Sequence, residues 1–313
     1  MGIYIARRLG WSIVVLFAIA VVTFLVTYIL PADPARMIAG IRATPEDVAR
    51  IRHALGLDQP FLAQLGAYLG RVVQGDFGQS YIQNRPVLPL ILDRFPATLQ
   101  LAVAGMFVAL VIGLPLGVHA ATHKGKWSDR GSTLFTTVLV AAPSFLVGYL
   151  LLNFLAFQPQ VIAHVEIFPI GGYKPFDIRY LALPAITIGF ASAAYYTRLT
   201  RTAMIDELSK DYLTTARSKG LGDRTVRWRH AFRNALGPVL SQIGLDLGFF
   251  LGGVVVVERV FSWPGIGKLA VDSIVTADVP LILGTVLFGT LCVVVANLVV
   301  DVVQVVIDPR IRV

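Results

Sequence analysis

The chain has 313 residues, of which 56% are hydrophobic and only 15% charged. Soluble domains carry about 25% charged residues, so this balance argues against a soluble domain and for a membrane protein. The net charge of +8 would suit nucleic acid, but the cations lie mostly beside apolar segments, where lipid headgroups account for them; membrane lipid is an expected partner and nucleic acid is not.

Six apolar segments approach the roughly 20 residues that cross a hydrocarbon core: residues 9–30, 97–119, 132–157, 181–200, 239–257 and 280–307. The expected fold class is therefore an all-α polytopic membrane protein with six transmembrane helices. The first run follows Arg7 and Arg8, but its 22 residues exceed the 7–15 of a signal core. Pro31-Ala32-Asp33-Pro34 follows it rather than a small-residue cleavage site, so it is read as a retained helix. Next, Thr44-Pro45-Glu46-Asp47 predicts a helix start, with Thr44 as cap and the acids beside the positive helix end. Val48, Ile51 and Leu55 recur on one face, and Gly56 ends it. A second amphipathic stretch carries Leu62, Leu65, Leu69, Val72 and Val73 and stops at Gly75. This small helical insertion could bind a partner, though its apolar faces suit packing onto the bundle.

Charge orients the chain. With the N-terminus inside, the short cytoplasmic stretches hold sixteen Lys and Arg and the two short external loops four. The long 31–96 segment does not enter that comparison. Both termini are expected in the cytoplasm of a cell-membrane protein. Residues 1–96 form one expected region, the first helix plus its external insertion. Residues 97–313 form a five-helix core with a polar, basic segment at about 201–237.

In the fifth span, Gly244, Gly248 and Gly252 repeat at four-residue spacing, a face that admits a close neighbour helix. Gln242 and Asp246 fall nearly opposite. An acid at that depth faces a cavity or a partner: Asp246 and Gln242 line a path, or Asp246 pairs within the bundle. Asn297, Asp301, Gln304 and Asp308 recur along the last span, as a vestibule face or an interhelical seam. Phe261-Ser262-Trp263-Pro264-Gly265 combines aromatic interface anchors with a turn. The five histidines lack metal-ligand spacing, and His119 and His123, four apart at a span end, predict no metal site. Cys292 has no partner for a disulfide within the chain. His-Glu-x-x-His, Gly-x-Ser-x-Gly and the Walker pattern are all missing, so no enzyme activity is expected. There is also no internal repeat.

Several short motifs occur in order: Pro31-Ala32-Asp33-Pro34, Leu55-Gly56-Leu57-Asp58-Gln59-Pro60, Gly75-Asp76-Phe77-Gly78-Gln79-Ser80 and Pro96-Ala97-Thr98-Leu99. Later come Glu258-Arg259-Val260-Phe261-Ser262-Trp263-Pro264-Gly265-Ile266-Gly267, Asp278-Val279-Pro280 and Asp308-Pro309-Arg310-Ile311-Arg312. In this order and spacing the chain resembles, nearly end to end, the first permease of dipeptide and oligopeptide ABC importers. Ala32, Ser218 and Gln304 depart from the family's usual glycine, alanine and tyrosine. The resemblance implies a type I importer permease fold and uptake of short peptides, haem or nickel chelates by alternating access.

Residues 211–238 are similar to that family's Glu-Ala-Ala loop, which docks on an ATPase subunit. Carried over residue by residue, the coupling positions are Asp211, Thr215, Ala216, Lys219, Gly220, Arg224, Asn234 and Pro238. The candidate path residues, from the polar positions of the spans themselves, are Gln242, Asp246, Asn297 and Asp301, and the resemblance implies an outer gate, beside the binding protein, at Glu258, Phe261, Trp263 and Pro264. The implied partners are a second permease, two P-loop ATPases and an extracytoplasmic solute-binding protein. The chain itself needs no cofactor, since ATP and Mg bind the ATPases. The competing reading is an ion-coupled secondary transporter using Asp246.

Overall fold

The computed structural model describes residues 2–29, 33–40 and 43–307. Apart from a single antiparallel bridge between Gln79 and Pro86, the described residues that are regular are helical. In chain order the helices are α1 (Gly2–Ile29), α2 (Pro34–Ala39), α3 (Pro45–Ala54), α4 (Phe61–Val73), α5 (Val87–Thr122), α6 (Trp127–Ala141), α7 (Ser144–Leu152) and α8 (Gln158–Ile162). Then follow α9 (Ile178–Leu208), α10 (Asp211–Ser218), α11 (Asp223–Thr225), α12 (Phe232–Leu251), α13 (Val255–Val260), α14 (Ile266–Val275) and α15 (Val279–Ile307). Two π-turns, Asn153–Phe157 and Val226–Ala231, join α7 to α8 and α11 to α12.

Among the described residues, five stretches are long and apolar enough to cross a membrane: Arg7–Ile29, Val87–Thr122, Ser144–Ile162, Ile178–Leu208 and Val279–Val300. Two predicted spans differ from them. The 132–157 segment breaks at Pro143, which has no N–H to continue the ladder, and the apolar helix starts only at Ser144. The 239–257 segment begins earlier, at Phe232, and ends at Leu251. Gly253 there takes φ +107°, and its Cα lies so near Gly267 that a side chain would collide with the backbone. α12 carries Arg233, Asn234, Gln242 and Asp246, and it falls outside the five. The predicted Pro31-Ala32 and 308–312 motifs lie outside the described residues.

The chain forms two compact units. The first comprises Met1–Thr98, Leu251–Val255 and Pro264–Val294. Its core joins Val87, Leu90 and Ile91 of α5 to Ile266 and Leu269 of α14 and Leu281 of α15. A second cluster sets Ala20 and Phe24 of α1 against Tyr68 of α4 and Leu283 and Leu287 of α15. The insertion therefore packs through Leu65, Leu69 and Val72, as its apolar face predicts, while Leu62 and Val73 stay exposed. The predicted cap of α3 is present in full: Thr44 Oγ1 accepts from Asp47 N and the Asp47 carboxylate accepts from Thr44 N.

Asp278, just ahead of α15, gathers a distant motif. Its carboxylate accepts from Ser80 Oγ and from the backbone N–H of Tyr81 at 3.1 Å and of Ile82 at 3.4 Å. The Gly75–Ser80 and Asp278–Pro280 motifs thus meet at one buried acid that fixes the loop before α5.

The second unit comprises Leu99–Phe250, Val256–Trp263 and Val295–Val313. Here α5 and α9 approach through small residues. A methyl on Gly113 would lie 2.7 Å from Tyr196 Cβ, and one on Gly117 2.6 Å from Thr200 Cβ. Only glycine permits that spacing.

Candidate functional site

The basic segment after α9 folds as a compact helical hairpin. Lys210 precedes α10, Gly220 turns the chain at φ +82°, and α11 leads back through the π-turn into α12. Open space surrounds Gly220 on the side a Cβ would occupy, so its glycine is required by conformation rather than by crowding. Leu213, Val226, Ala231 and Ala235 are buried together with Val118 and Ala121 of α5 and Met204 of α9. Ala216 is half-buried against the same cluster, so its small size first serves the seating of α10. Asp211, Thr215, Lys219, Gly220, Arg224, Asn234 and Pro238 are exposed. Asp223 pairs with Arg217 at 3.4 Å and Arg227 at 3.6 Å, bracketing the turn on its solvent side.

Sequence reading missed what anchors the hairpin. Glu207, in the last turn of α9 and only 6% exposed, accepts from Lys210 Nζ at 2.5 Å, Tyr212 Oη at 2.6 Å and Asn234 Nδ2 at 3.2 Å. Asn234 also donates to Tyr212 Oη at 2.9 Å. Burial, and donation to Glu207, raise the Tyr212 hydroxyl above its ordinary pKa. One carboxylate thus holds the entry, first turn and return helix of the hairpin. The i,i+3 pair Glu207–Lys210 was legible as a helix-end ion pair; Asn234, 27 residues on, was not.

A second acid fastens the same unit. Asp129, buried near the start of α6, receives Arg201 of α9 through Nε at 2.7 Å and Nη2 at 2.9 Å, and Gly125 N at 2.9 Å. Arg201, one of the cytoplasmic cations that orient the chain in the sequence count, is committed to this pair. Its hydrogen bonds hold the Asp129 carboxyl down to about 2.

Two of the predicted path residues, Gln242 and Asp246, fall in one seam between α9 and α12. Asp246 Oδ2 accepts from Tyr196 Oη at 2.8 Å and Oδ1 from Gln242 Nε2 at 2.8 Å. Tyr195 Oη donates weakly to Gln242 Oε1 at 3.4 Å. Asp246 is therefore paired with neutral donors within the bundle. Asp246 and Gln242 are half-buried and Tyr195 is exposed. On the opposite face a methyl on Gly244 would collide with Val300 of α15, as the small-residue stripe predicts. Asn297 is half-buried on α15; the side chains of Asp301 and Gln304 lie outside the described residues, as does Asp308. A cavity of about 990 Å³ lies in the first unit, bordered by Phe24, Arg52, Tyr68 and Arg71 among others, and none of the path residues borders it.

The aromatic-anchor reading of residues 261–265 is corrected. Phe261, Trp263 and Glu258 are all buried. Ser262 takes φ +53°, Trp263 N donates to Glu258 O at 2.7 Å, and Gly172 N donates to Phe261 O at 2.9 Å. Tyr173 meets the Trp263 ring edge-on at 4.8 Å. An interface anchor must reach the headgroups; these rings instead fill a core. Pro264 is half-buried and opens the return to α14.

The chain as a whole is similar to known proteins. Residues 113–313 match the family described as "Binding-protein-dependent transport system inner membrane component", and residues 1–102 match "Binding-prot-dependent transport system membrane comp, N-term". The chain is 40% identical over 309 residues to the glutathione transport system permease protein GsiC of Escherichia coli (strain K12), spanning 99% of this chain and 98% of that one. It is 41% identical over 314 residues, with the same coverage, to the protein of that name from Salmonella paratyphi A. An inward-facing structure of the MetNI methionine ABC transporter aligns with TM-score 0.54 at 16% identity, covering 71% of this chain and 97% of that one. At that identity the likeness shows the fold alone. The chain belongs to the family of binding-protein-dependent transport system inner membrane components, the permease subunits of ABC transporters.

Proposed function

We propose that this permease carries short peptides inward across the cytoplasmic membrane by alternating access, driven through residues 211–238 by partner ATPases. In this reading the chain crosses six times with both termini inside, α12 and α13 supplying the span that length and composition alone do not single out. It pairs with a second permease, two P-loop ATPases that hold ATP and Mg, and an extracytoplasmic binding protein that delivers cargo. The chain hydrolyses nothing itself and needs no cofactor. The name of the relatives at 40% identity favours glutathione, itself a short peptide, among the cargoes. Family membership leaves the ion-coupled secondary transporter without support.

The observation that carries the coupling role is the construction of the hairpin. Its inner side is locked by an apolar cluster and a buried acid, while Asp211, Thr215, Lys219 and Arg224 face outward. A lever needs that combination of rigid attachment and a free docking face. On the same reading Asp246 and Gln242 offer an acid and an amide to the amino end of a peptide, Asn297 and Asp301 continue the path, and Glu258, Phe261, Trp263 and Pro264 hold the outer gate in shape from within. Gly220→Trp tests the docking. Tryptophan strains the φ +82° turn and adds bulk to its open side, so the protein should insert in the membrane yet lose uptake of radiolabelled peptide. Uptake at the wild-type rate would refute the role.

A further inference from the structure

Glu207 has no place in any motif that the sequence displays, and it is the most connected buried acid in the described hairpin. Three donors converge on it from three successive parts of the chain. Lys210 lies in the connection before α10, Tyr212 in the first turn of α10, and Asn234 in the return helix α12. Asn234 and Tyr212 also bond to each other, and Tyr212 Oη reaches towards His230 O at 3.4 Å. The surrounding cluster of Leu213, Val226, Ala231 and Ala235 is apolar. Apolar packing holds surfaces together without direction, whereas hydrogen bonds to a carboxylate fix distance and angle. The carboxylate is therefore what sets the register of the hairpin on the end of α9.

We propose that Glu207 is the joint of the coupling machinery. A push on the exposed side of the hairpin becomes movement of α9 and α12 because Glu207 clamps Tyr212 and Asn234 to one point. The same two helices carry the Tyr196–Asp246 seam, so a register held at Glu207 is transmitted to the predicted path. Glu207 touches neither cargo nor nucleotide in this scheme and acts as a positioning residue. The inference rests on the docking role proposed above for residues 211–238.

The test uses the complete transporter, both permeases with ATPases and binding protein, reconstituted in vesicles. ATP hydrolysis and uptake of a radiolabelled tripeptide are measured together. Glu207→Gln removes the charge at nearly constant volume. Tyr212→Phe removes one hydroxyl and keeps the ring, so it reports even where Glu207→Gln fails to fold. Both should keep their ATPase subunits and hydrolyse ATP, while peptide carried per ATP falls about tenfold, the scale of one charged hydrogen bond. The double variant should be little worse than either single, because the groups act as a unit. A wild-type ratio in Tyr212→Phe, or loss of uptake only through loss of the ATPase subunits, would overturn the proposal. Gly220→Trp separates the two failures. If that variant transports normally, the docking role itself is wrong. If it is inactive while Glu207→Gln and Tyr212→Phe keep the wild-type ratio, only the joint is wrong.

Discussion

Single acids decide how the second unit is fastened, and Asp129 gives the clearest case. Its side chain is 6% exposed and takes both Arg201 hydrogen bonds together with Gly125 N–H. Arg201→Met would leave that carboxylate buried without its counter-charge, which costs about 3 kcal/mol. Thermal unfolding of the purified protein in detergent should fall accordingly, and Asp129→Asn combined with Arg201→Met should recover part of the loss. Because Arg201 holds the folded carboxyl at about 2 against an ordinary 3.8, Asp129 favours the fold at all pH above 4 or so. That contribution drains away as pH falls towards 2. The wild type should thus lose stability over that acid window more steeply than Asp129→Asn, and parallel curves would contradict the pairing. None of this was legible in the sequence. A count of charges sees Arg201 as one more cation, since nothing local links it to an acid 72 positions earlier. The turn at Gly220 follows from its φ of +82°, with open space where a Cβ would lie.

At the scale of elements, the α9–α12 seam is where the proposed path can be tested. Both Asp246 oxygens accept from neutral side chains, and the Tyr196 that donates one bond is wholly buried. Asp246→Asn keeps an acceptor for Tyr196, so stability should change by less than about 1 kcal/mol. Uptake of peptides with a free amino terminus should nevertheless fall if the acid meets that ammonium. Uptake equal to wild type, with the fold intact, would restrict Asp246 to a structural part. Sequence reading did well where one element decides its own ends. Thr44, Pro45 and Asp47 form the cap that their order predicts, and Leu65, Leu69 and Val72 bury as their spacing requires. It did less well where tertiary contact decides. Pro143 and Gly252-Gly253 divide apolar runs that hydropathy joins. Phe261 and Trp263 look like interface anchors until the structure buries them, because an aromatic pair beside Pro-Gly has the same composition in either setting.

Across the whole molecule, family membership was readable from ordered short motifs, and the structure brings two of them into contact. Asp278 closes on the loop that carries Ser80, so that loop depends on the acid for its hydrogen bonds. The cargo is not readable in the same way, because none of the motifs that carry the family resemblance marks a side chain that selects it. What the chain does depends instead on whether its hairpin meets a motor. The direct measurement is a photo-crosslinking amino acid placed at exposed Arg224 in the assembled transporter within native membranes. Docking of the hairpin on the motor requires an adduct with the ATPase subunit that strengthens or weakens as nucleotide is changed. An adduct with the binding protein instead, or no adduct with the ATPase in any nucleotide state, would contradict it.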